Sequence, residues 1–156
     1  MKKALLASML WLLGCGGSSP TAPTAPSTTR LPNVLGTWTV AYSAVSAGGG
    51  TSGSSRCPGT LSITSQTGGA FSGAISITSP CADAGNVNAQ IDTAGVVSTF
   101  VVSGTVAGPV PGCSTVSEPP YTGRLVSNTM TVNKRSLYRC SGVGDVTVDR
   151  TISATR

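Results

Sequence analysis

The sequence predicts an all-β fold, an eight-stranded antiparallel up-and-down barrel formed by residues 31–156. Short segments alternate between apolar residues and serine or threonine, the pattern of a sheet with one buried and one solvated face. Glycine, proline and asparagine separate these segments and favour turns. Only 10% of the residues are charged, and no segment after residue 30 shows sustained helical periodicity.

Each strand is predicted from the same two-residue alternation. In chain order, the strands span residues 35–45, 58–66, 70–79, 86–93, 95–104, 121–127, 129–138 and 145–155. The residues expected to face inward are Trp38, Val40, Tyr42, Leu61, Ile63, Phe71, Ile75, Ile77, Val87, Ile91, Val96, Phe100, Leu125, Met130, Val132, Val148 and Ile152.

The connections between the strands alternate in length. Tight turns are expected at Thr67–Gly69, Thr93–Gly95 and Ser127–Asn128, and long connections at Ser46–Cys57 and Thr105–Pro120. In a meander, the long connections therefore share one rim and the short turns share the other. Closure into a barrel would remove exposed sheet edges. A β-sandwich is the alternative, because a meander does not by itself prove closure.

The N-terminus has the features of an export signal. Lys2 and Lys3 precede an uncharged apolar run, Ala4–Leu13, which is too short to span a bilayer of roughly 30 Å. The block Leu12-Leu13-Gly14-Cys15 resembles the bacterial lipobox. That resemblance implies cleavage before Cys15 and attachment of fatty acids such as palmitate to it. The alternative is an ordinary secretory signal in which the cysteine occurs by chance.

The resemblance divides the chain into a signal peptide at 1–14, a lipidated and tethered segment at 15–30, and the barrel at 31–156. Residues 16–30 are rich in proline, threonine and serine, a composition typical of an extended spacer. Gly16 stands where an aspartate would resemble an inner-membrane retention signal. We therefore expect a lipid-anchored protein of the bacterial cell envelope, at the outer membrane.

Four cysteines follow Cys15. The hairpin turn near residue 68 places Cys57 opposite residue 79, close to Cys81, and the turn at Ser127–Asn128 places Cys140 opposite residue 115, close to Cys113. Disulfides Cys57–Cys81 and Cys113–Cys140 are therefore predicted. A Cys₄ metal site is the rival interpretation, but no C-x₂₋₄-C element is present, and an exported protein meets an oxidising compartment.

Composition argues against most enzymatic chemistry. The chain contains no histidine, which removes Ser-His-Asp and Cys-His catalysis and every histidine-containing metal site. The five acidic residues are scattered near predicted turns. A formal net charge of +5 without a basic stripe does not indicate nucleic-acid binding. We expect no enzyme activity, no metal and no cofactor.

The start of the first strand, Leu35-Gly36-Thr37-Trp38, and the final arginine, Arg156, resemble the lipocalin and wider calycin pattern. That resemblance implies that Trp38 seals one end of the barrel and that Arg156 packs across it. The run Gly69-Ala70-Phe71-Ser72-Gly73 is similar to a motif of avidin-like barrels, which share the architecture. The other lipocalin motifs, a Thr-Asp-Tyr loop and a C-terminal helix, are missing, so no ligand is carried over.

Two functions remain open from the sequence. The first is binding of a small apolar or anionic ligand inside the barrel, for which the candidate residues are Tyr42, Phe71, Phe100 and Arg150. The second is binding of a protein partner, as protease inhibitors of this superfamily do, through a rim built from Ser46–Cys57, Pro80–Gly85, Thr105–Pro120 and Ser141–Gly144. A structural envelope role is a further alternative, and we expect a monomer.

Overall fold

The computed structural model describes residues 30–81, 84–104 and 112–156, and the regular structure in these ranges is entirely β-strand. The strands are β1 (Gly36–Gly48), β2 (Thr51–Thr67), β3 (Ala70–Ile77), β4 (Ala84–Ile91), β5 (Val96–Gly104), β6 (Cys113–Ser117), β7 (Tyr121–Val126), β8 (Thr129–Cys140) and β9 (Gly144–Thr155). No helix among the described residues is long and apolar enough to cross a membrane. Cys15 and the tether residues 16–29 lie outside the described ranges.

Eight of these strands close into the predicted barrel, and the sandwich alternative is excluded. Consecutive strands pair antiparallel along the chain, with β5 pairing with β7, and β1 pairs with β9 to complete the ring. The closing ladder between β1 and β9 is long, running from Thr39 opposite Thr155 to Gly48 opposite Val146. The extra strand, β6, pairs with β8 and with no other described strand.

The expected long connection at Ser46–Cys57 is wrong. Strands β1 and β2 stay paired as far as Gly48 and Thr51, so this segment is a protruding hairpin. The turn consists of Gly49 and Gly50, whose φ angles of 60° and 76° match the two-residue turns that favour glycine in hairpins.

The expected long connection at Thr105–Pro120 is also partly wrong, because it contains β6. Strand β8 is twice as long as β7, and β7 covers it only as far as Asn133. Strand β6 takes the same side of β8 further along, where Cys113 lies opposite Cys140. The two halves are separated by residues 118–120, which include two prolines that cannot donate to a ladder.

One inward candidate is wrong for a local reason. Val96 is exposed, whereas Val97 and Phe100 are buried. The pairing of β5 with β7 is irregular between Val97 and Phe100, and Thr99 within it has a φ of 52°. This bulge breaks the alternation and brings two residues three positions apart onto the inner face.

Inward side chains fill the barrel and form two apolar clusters. The larger occupies the end closed by the short turns and includes Trp38, Leu61 and Phe100. The smaller, at the open end, consists of Tyr138, Cys140, Val146 and Val148, with Ala44 and Cys113 packed against it. The two buried polar or charged residues named within the described ranges, Ser136 and Arg150, lie on β8 and β9 between the residues of the two clusters.

Candidate functional site

The most polar part of the interior is a layer on β8 and β9, between the two apolar clusters. Alternation along β8 turns Lys134, Ser136 and Tyr138 inward, on the same face as the buried Met130 and Val132. Alternation along β9 turns Arg150 inward, and the β8–β9 register places it opposite Lys134. Adjacent strands therefore bring two cationic side chains together inside the barrel.

Arg150 is held by neutral hydrogen-bond acceptors. Its residue is only 3% exposed. Nη1 donates to the Ser136 hydroxyl at 2.9 Å, and Nη2 donates to the Tyr138 hydroxyl at 3.0 Å. Burial is the largest single influence and lowers the pKa of Arg150, but the Tyr138 hydrogen bond and the phenol oxygens of Tyr138, Tyr42 and Tyr121 together raise it above its ordinary value. The guanidinium therefore stays charged inside the barrel.

Lys134 and Glu118 complete this layer. The Lys134 ammonium lies 2.6 Å from Glu118 Oε1 and 4.7 Å from the centre of the Tyr121 ring. The same Glu118 oxygen lies 3.9 Å from Nη1 of Arg150. The Glu118 side chain is 40% exposed and that of Lys134 only 11%. We call Arg150, Lys134 and Glu118 the cationic layer: two inward cations that face one partly exposed carboxylate.

Below the cationic layer the barrel is filled by aromatic side chains. Phe71, Phe100 and Tyr121 pack edge to face, with ring centres 6.3 Å and 5.9 Å apart along the series. Tyr42 and Phe71, both candidate ligand residues, are each 3% exposed, and Phe100 is fully buried. These side chains form core. Depressions of about 330–500 Å³ occur where mostly outward-facing residues such as Arg56 and Asn88 line the surface, and their linings also include Tyr42 and Phe71. One of them, of about 430 Å³, is lined by both Lys134 and Arg150.

The described ladders around the barrel are interrupted near the cationic layer. Beyond Phe100, which lies opposite Tyr121, the described pairing of β5 is with β4. Among the described residues, β6 pairs with β8 and no ladder joins it to β5. Glu118 follows β6 directly, and its carboxylate reaches Lys134.

The structure places Trp38 and Arg156 together at the closed end. The Arg156 guanidinium lies 4.7 Å from the Trp38 ring centre and donates to the carbonyls of Leu35 and Asn33 at 2.9 and 2.6 Å. The Trp38 indole N–H donates to the Val34 carbonyl at 2.9 Å. The segment before β1 thus covers the closed end of the barrel, and Arg156 holds it there through hydrogen bonds to its carbonyls.

Both predicted disulfides are confirmed, Cys57–Cys81 and Cys113–Cys140. Cys113 lies directly opposite Cys140, two positions from the expected register, because β6 is offset from β7 along β8. This bond fixes the start of β6 to the end of β8. Within the described ranges, no three histidine, cysteine, aspartate or glutamate side chains come together as a metal site.

The sequence analysis did not name four residues of this layer. The inward direction of three of them could have been predicted, and that of the fourth could not. Extending the inward parity of Met130 and Val132 along β8 leads directly to Lys134, Ser136 and Tyr138. Glu118 lies outside every strand, so no periodicity assigns it a direction.

The fold and site together define a small disulfide-bonded β-barrel protein with a cationic layer beneath its open end. No protein-family model matches the sequence, and no curated protein was found to be similar to it. The functional argument therefore depends on the geometry of this chain.

Proposed function

We propose that this chain is a lipid-anchored binding protein of the bacterial envelope, without enzymatic activity, whose barrel binds a small anionic ligand at the cationic layer. The observation that carries the proposal is the pair Arg150 and Lys134, which face inward with one carboxylate between them. A buried charge is retained only when it is paired or hydrogen-bonded. Here two cations share one carboxylate, so one positive charge is left unbalanced. A ligand carboxylate or similar anion would balance it.

The filled lumen restricts the class of ligand that the barrel can bind. An apolar ligand needs a cavity, but Tyr42, Phe71 and Phe100 already occupy the space below Arg150. An anion needs only to reach the cationic layer, where Glu118 is the most exposed group. The anionic half of the sequence hypothesis is therefore favoured over the apolar half.

The anchoring proposal rests on the sequence of residues 1–30 and gains an orientation from the fold. The described chain begins with Arg30 and Leu31, just before the segment that covers the closed end. The tether has 15 residues, from Gly16 to Arg30, and would span up to about 45 Å at about 3.1 Å per residue. It would enter the domain at that end. The open end would then face away from the lipid surface.

A protein partner at the open rim is the second candidate, and the filled interior favours it. The hairpin of Gly49 and Gly50 lies against Val143 in the β8–β9 turn, and the Cys113–Cys140 bond ties β6 to the same region. Loops on a rigid scaffold commonly carry binding residues. This candidate predicts a complex that survives neutralisation of the cationic layer.

Benzoate titration tests the ligand proposal. The Arg150 Nε–H signal of the mature protein should shift saturably in NMR spectra as benzoate is added. Glu118→Gln, which removes the competing carboxylate, should tighten binding several-fold, and Lys134→Met should weaken it. Arg135→Gln, an outward cation paired with Asp149, is the matched control and should change nothing. A response that does not saturate, or that ignores Glu118→Gln, contradicts the proposal.

Metabolic labelling tests the anchor. An alkyne-tagged fatty acid should label the wild-type protein in its own envelope and leave Cys15→Ala unlabelled. Cys57→Ala together with Cys81→Ala serves as the control for loss of cysteines elsewhere. Equal labelling of wild type and Cys15→Ala would rule out the lipid anchor at that position.

A further inference from the structure

The arginines on the outer wall of the barrel differ in whether an acid accompanies them. On β8 and β9, Arg135 forms an ion pair of 2.6 Å with Asp149. Arg139 forms one of 2.9 Å with Asp145 further along the same two strands. Arg124, near the closed end of β7, is exposed, and no carboxylate in the described ranges pairs with it. Its positive charge is therefore not balanced by the described part of the fold.

Exposed apolar side chains stand beside Arg124. Val96 lies directly opposite it on β5, and Val126, which is 63% exposed, follows it on the same face of β7. The main-chain N–H of Arg156, at the end of β9, donates to a carbonyl of the β7–β8 turn at 3.2 Å. Its guanidinium bonds the carbonyl of Leu35, whose residue is 42% exposed. We call Val96, Arg124, Val126, Arg156 and Leu35 the closed-end arc, because they follow one another around one side of the closed end.

The same end of the barrel receives the segment that precedes the domain. Pro32 and Val34 are hydrogen-bonded to the Gln66 side chain near the end of β2, and Arg30, which is exposed, comes just before them. Fifteen residues, 16–30, separate Cys15 from this segment. A lipid on that cysteine would hold the closed end within about 45 Å of the bilayer. A surface held this close is present at a high effective concentration, so weak contacts are enough for docking.

Resting on the lipid anchor proposed above, we propose that the closed-end arc docks on the anionic phospholipid surface to which the chain is attached. The guanidinium groups of Arg124 and Arg30 would face lipid phosphates, whose oxygens match the planar fork of an arginine. Val126 and Leu35 would enter the headgroup region beside them. Arg156 would add its charge while its nitrogens stay on the carbonyls that they already bond.

The distribution of acidic side chains leaves this end positive. Of the four acidic residues in the described ranges, Glu118, Asp145 and Asp149 are paired with cations on β8, away from the arc. The fourth, Asp92, lies at the edge of the arc in the β4–β5 turn. Its Oδ1 accepts hydrogen bonds from two main-chain N–H groups at 2.9 and 2.8 Å. The arginines of this end therefore outnumber its acids, and each arginine near an anionic leaflet favours attachment by about five-fold.

A second copy of the chain fits the arc less well than a lipid surface does. A two-fold interface places the same patch of both copies face to face. Arg124 and Arg156 of one copy would then meet the same two cations of the other, and the arc itself contains no acid that could pair with them. Like charges brought together in this way oppose association, whereas lipid phosphates would compensate them.

The test attaches the mature chain to lipid nanodiscs through the thiol of Cys15 and a maleimide lipid, so the result does not depend on acylation in cells. The discs contain phosphatidylcholine and phosphatidylglycerol in equal parts, or phosphatidylcholine alone, with a trace of a gadolinium-chelating lipid. In NMR spectra, the amide signals of Val96 and Val126 should lose more than half of their intensity in the anionic discs and much less in the neutral discs. The signal of Gly49, at the open end, should keep its intensity in both.

Matched variants separate the arc from net charge. Arg124→Gln should lower the ratio of docked to undocked protein in the anionic discs about five-fold, and Val126→Ser should lower it further. Arg56→Gln is the control, because it removes an exposed arginine of β2 that lies opposite Ser43 and outside the arc. It should leave the ratio unchanged. These three side chains are exposed, so the substitutions remove no core contact.

Three results would overturn the docking surface: equal signal loss in neutral and anionic discs, an equal effect of Arg56→Gln and Arg124→Gln, or Val96 and Val126 signals that shift with protein concentration without discs. The last result would assign the arc to a second copy of the chain. The anchor is judged separately by the metabolic labelling of Cys15. Labelling without docking removes the surface and leaves the anchor, whereas docking in discs without labelling in cells supports the surface and removes the anchor.

Discussion

Replacing Arg156 with alanine should open the closed end of the barrel. Arg156 stacks 4.7 Å from the Trp38 ring centre, and its guanidinium bridges the carbonyls of Leu35 and Asn33. An exposed cation–π contact contributes about 0.5–1 kcal/mol. Two hydrogen bonds on an exposed side chain contribute about 0.5–1 kcal/mol each. Arg156→Ala should therefore lower the free energy of unfolding by about 1.5–3 kcal/mol.

Urea unfolding of the chain from Gly16 to Arg156 measures this loss, because Trp38 is then the only tryptophan. Wild-type Trp38 is fully buried, so its emission should be blue-shifted and resistant to iodide. In Arg156→Ala the emission should move to the red and quenching should rise. Arg156→Lys keeps the cation but lacks the planar pair of nitrogens that reaches both carbonyls while it stacks on the ring, so it should lose about half as much stability.

The control is Arg124→Ala, which removes an exposed arginine on β7 that stacks on no aromatic ring among the described residues. It should leave the urea midpoint and the Trp38 emission almost unchanged. The reasoning is refuted if Arg156→Ala leaves the midpoint where it was, or if Arg124→Ala costs as much as Arg156→Ala.

Three further predictions concern stability. Cys113→Ala with Cys140→Ala opens a loop of sequence separation 27 and should cost about 3.5 kcal/mol in the chain-entropy model, read from the urea midpoint; an unchanged midpoint would contradict it. Gly123→Ala should cost about 1–3 kcal/mol in the same assay, because an added Cβ would run into backbone atoms of β8, and a neutral effect would disprove the close approach. The hydrogen bond from Arg135 lowers the pKa of Asp149, so the pair stabilises the fold above the ordinary aspartate pKa and loses this effect as pH falls through the lowered value. Asp149→Asn should therefore flatten the acid limb of a thermal melt series below about pH 4, and an identical acid limb would exclude this pair as a cause.

The barrel could be predicted because its strands repeat one physical pattern. Alternation identified every strand of the closed ring, and symmetry about two hairpin turns paired Cys57 with Cys81 and Cys113 with Cys140. The ladder from Gly59 opposite Ile77 extrapolates Cys57 to residue 79, as expected from the turn near residue 68. Local turns and the two-residue period were sufficient here, since each strand pairs mainly with its neighbours in sequence.

The errors arose where the pattern depends on distant partners. Strand β6 has no buried face except at Cys113, which is half-buried, so alternation could not identify it. It exists because β8 continues beyond the reach of β7 and offers a ladder. Val96 was assigned to the wrong face because a bulge depends on the strand opposite. Glu118 approaches Lys134 for the same reason: the path of the chain between β6 and β7 is set by β8.

The cationic layer divides the barrel into two halves with different roles. Toward the closed end, buried apolar residues, the Trp38 indole bond and the Arg156 clamp hold the chain together. Toward the open end, β6 is joined to β8 by a ladder of only a few residues, and a disulfide holds it there. Two inward cations at this boundary weaken a core that apolar side chains would fill at lower cost. Two inward cations beside a partly exposed carboxylate are the reason we propose ligand binding at this layer rather than in the apolar interior.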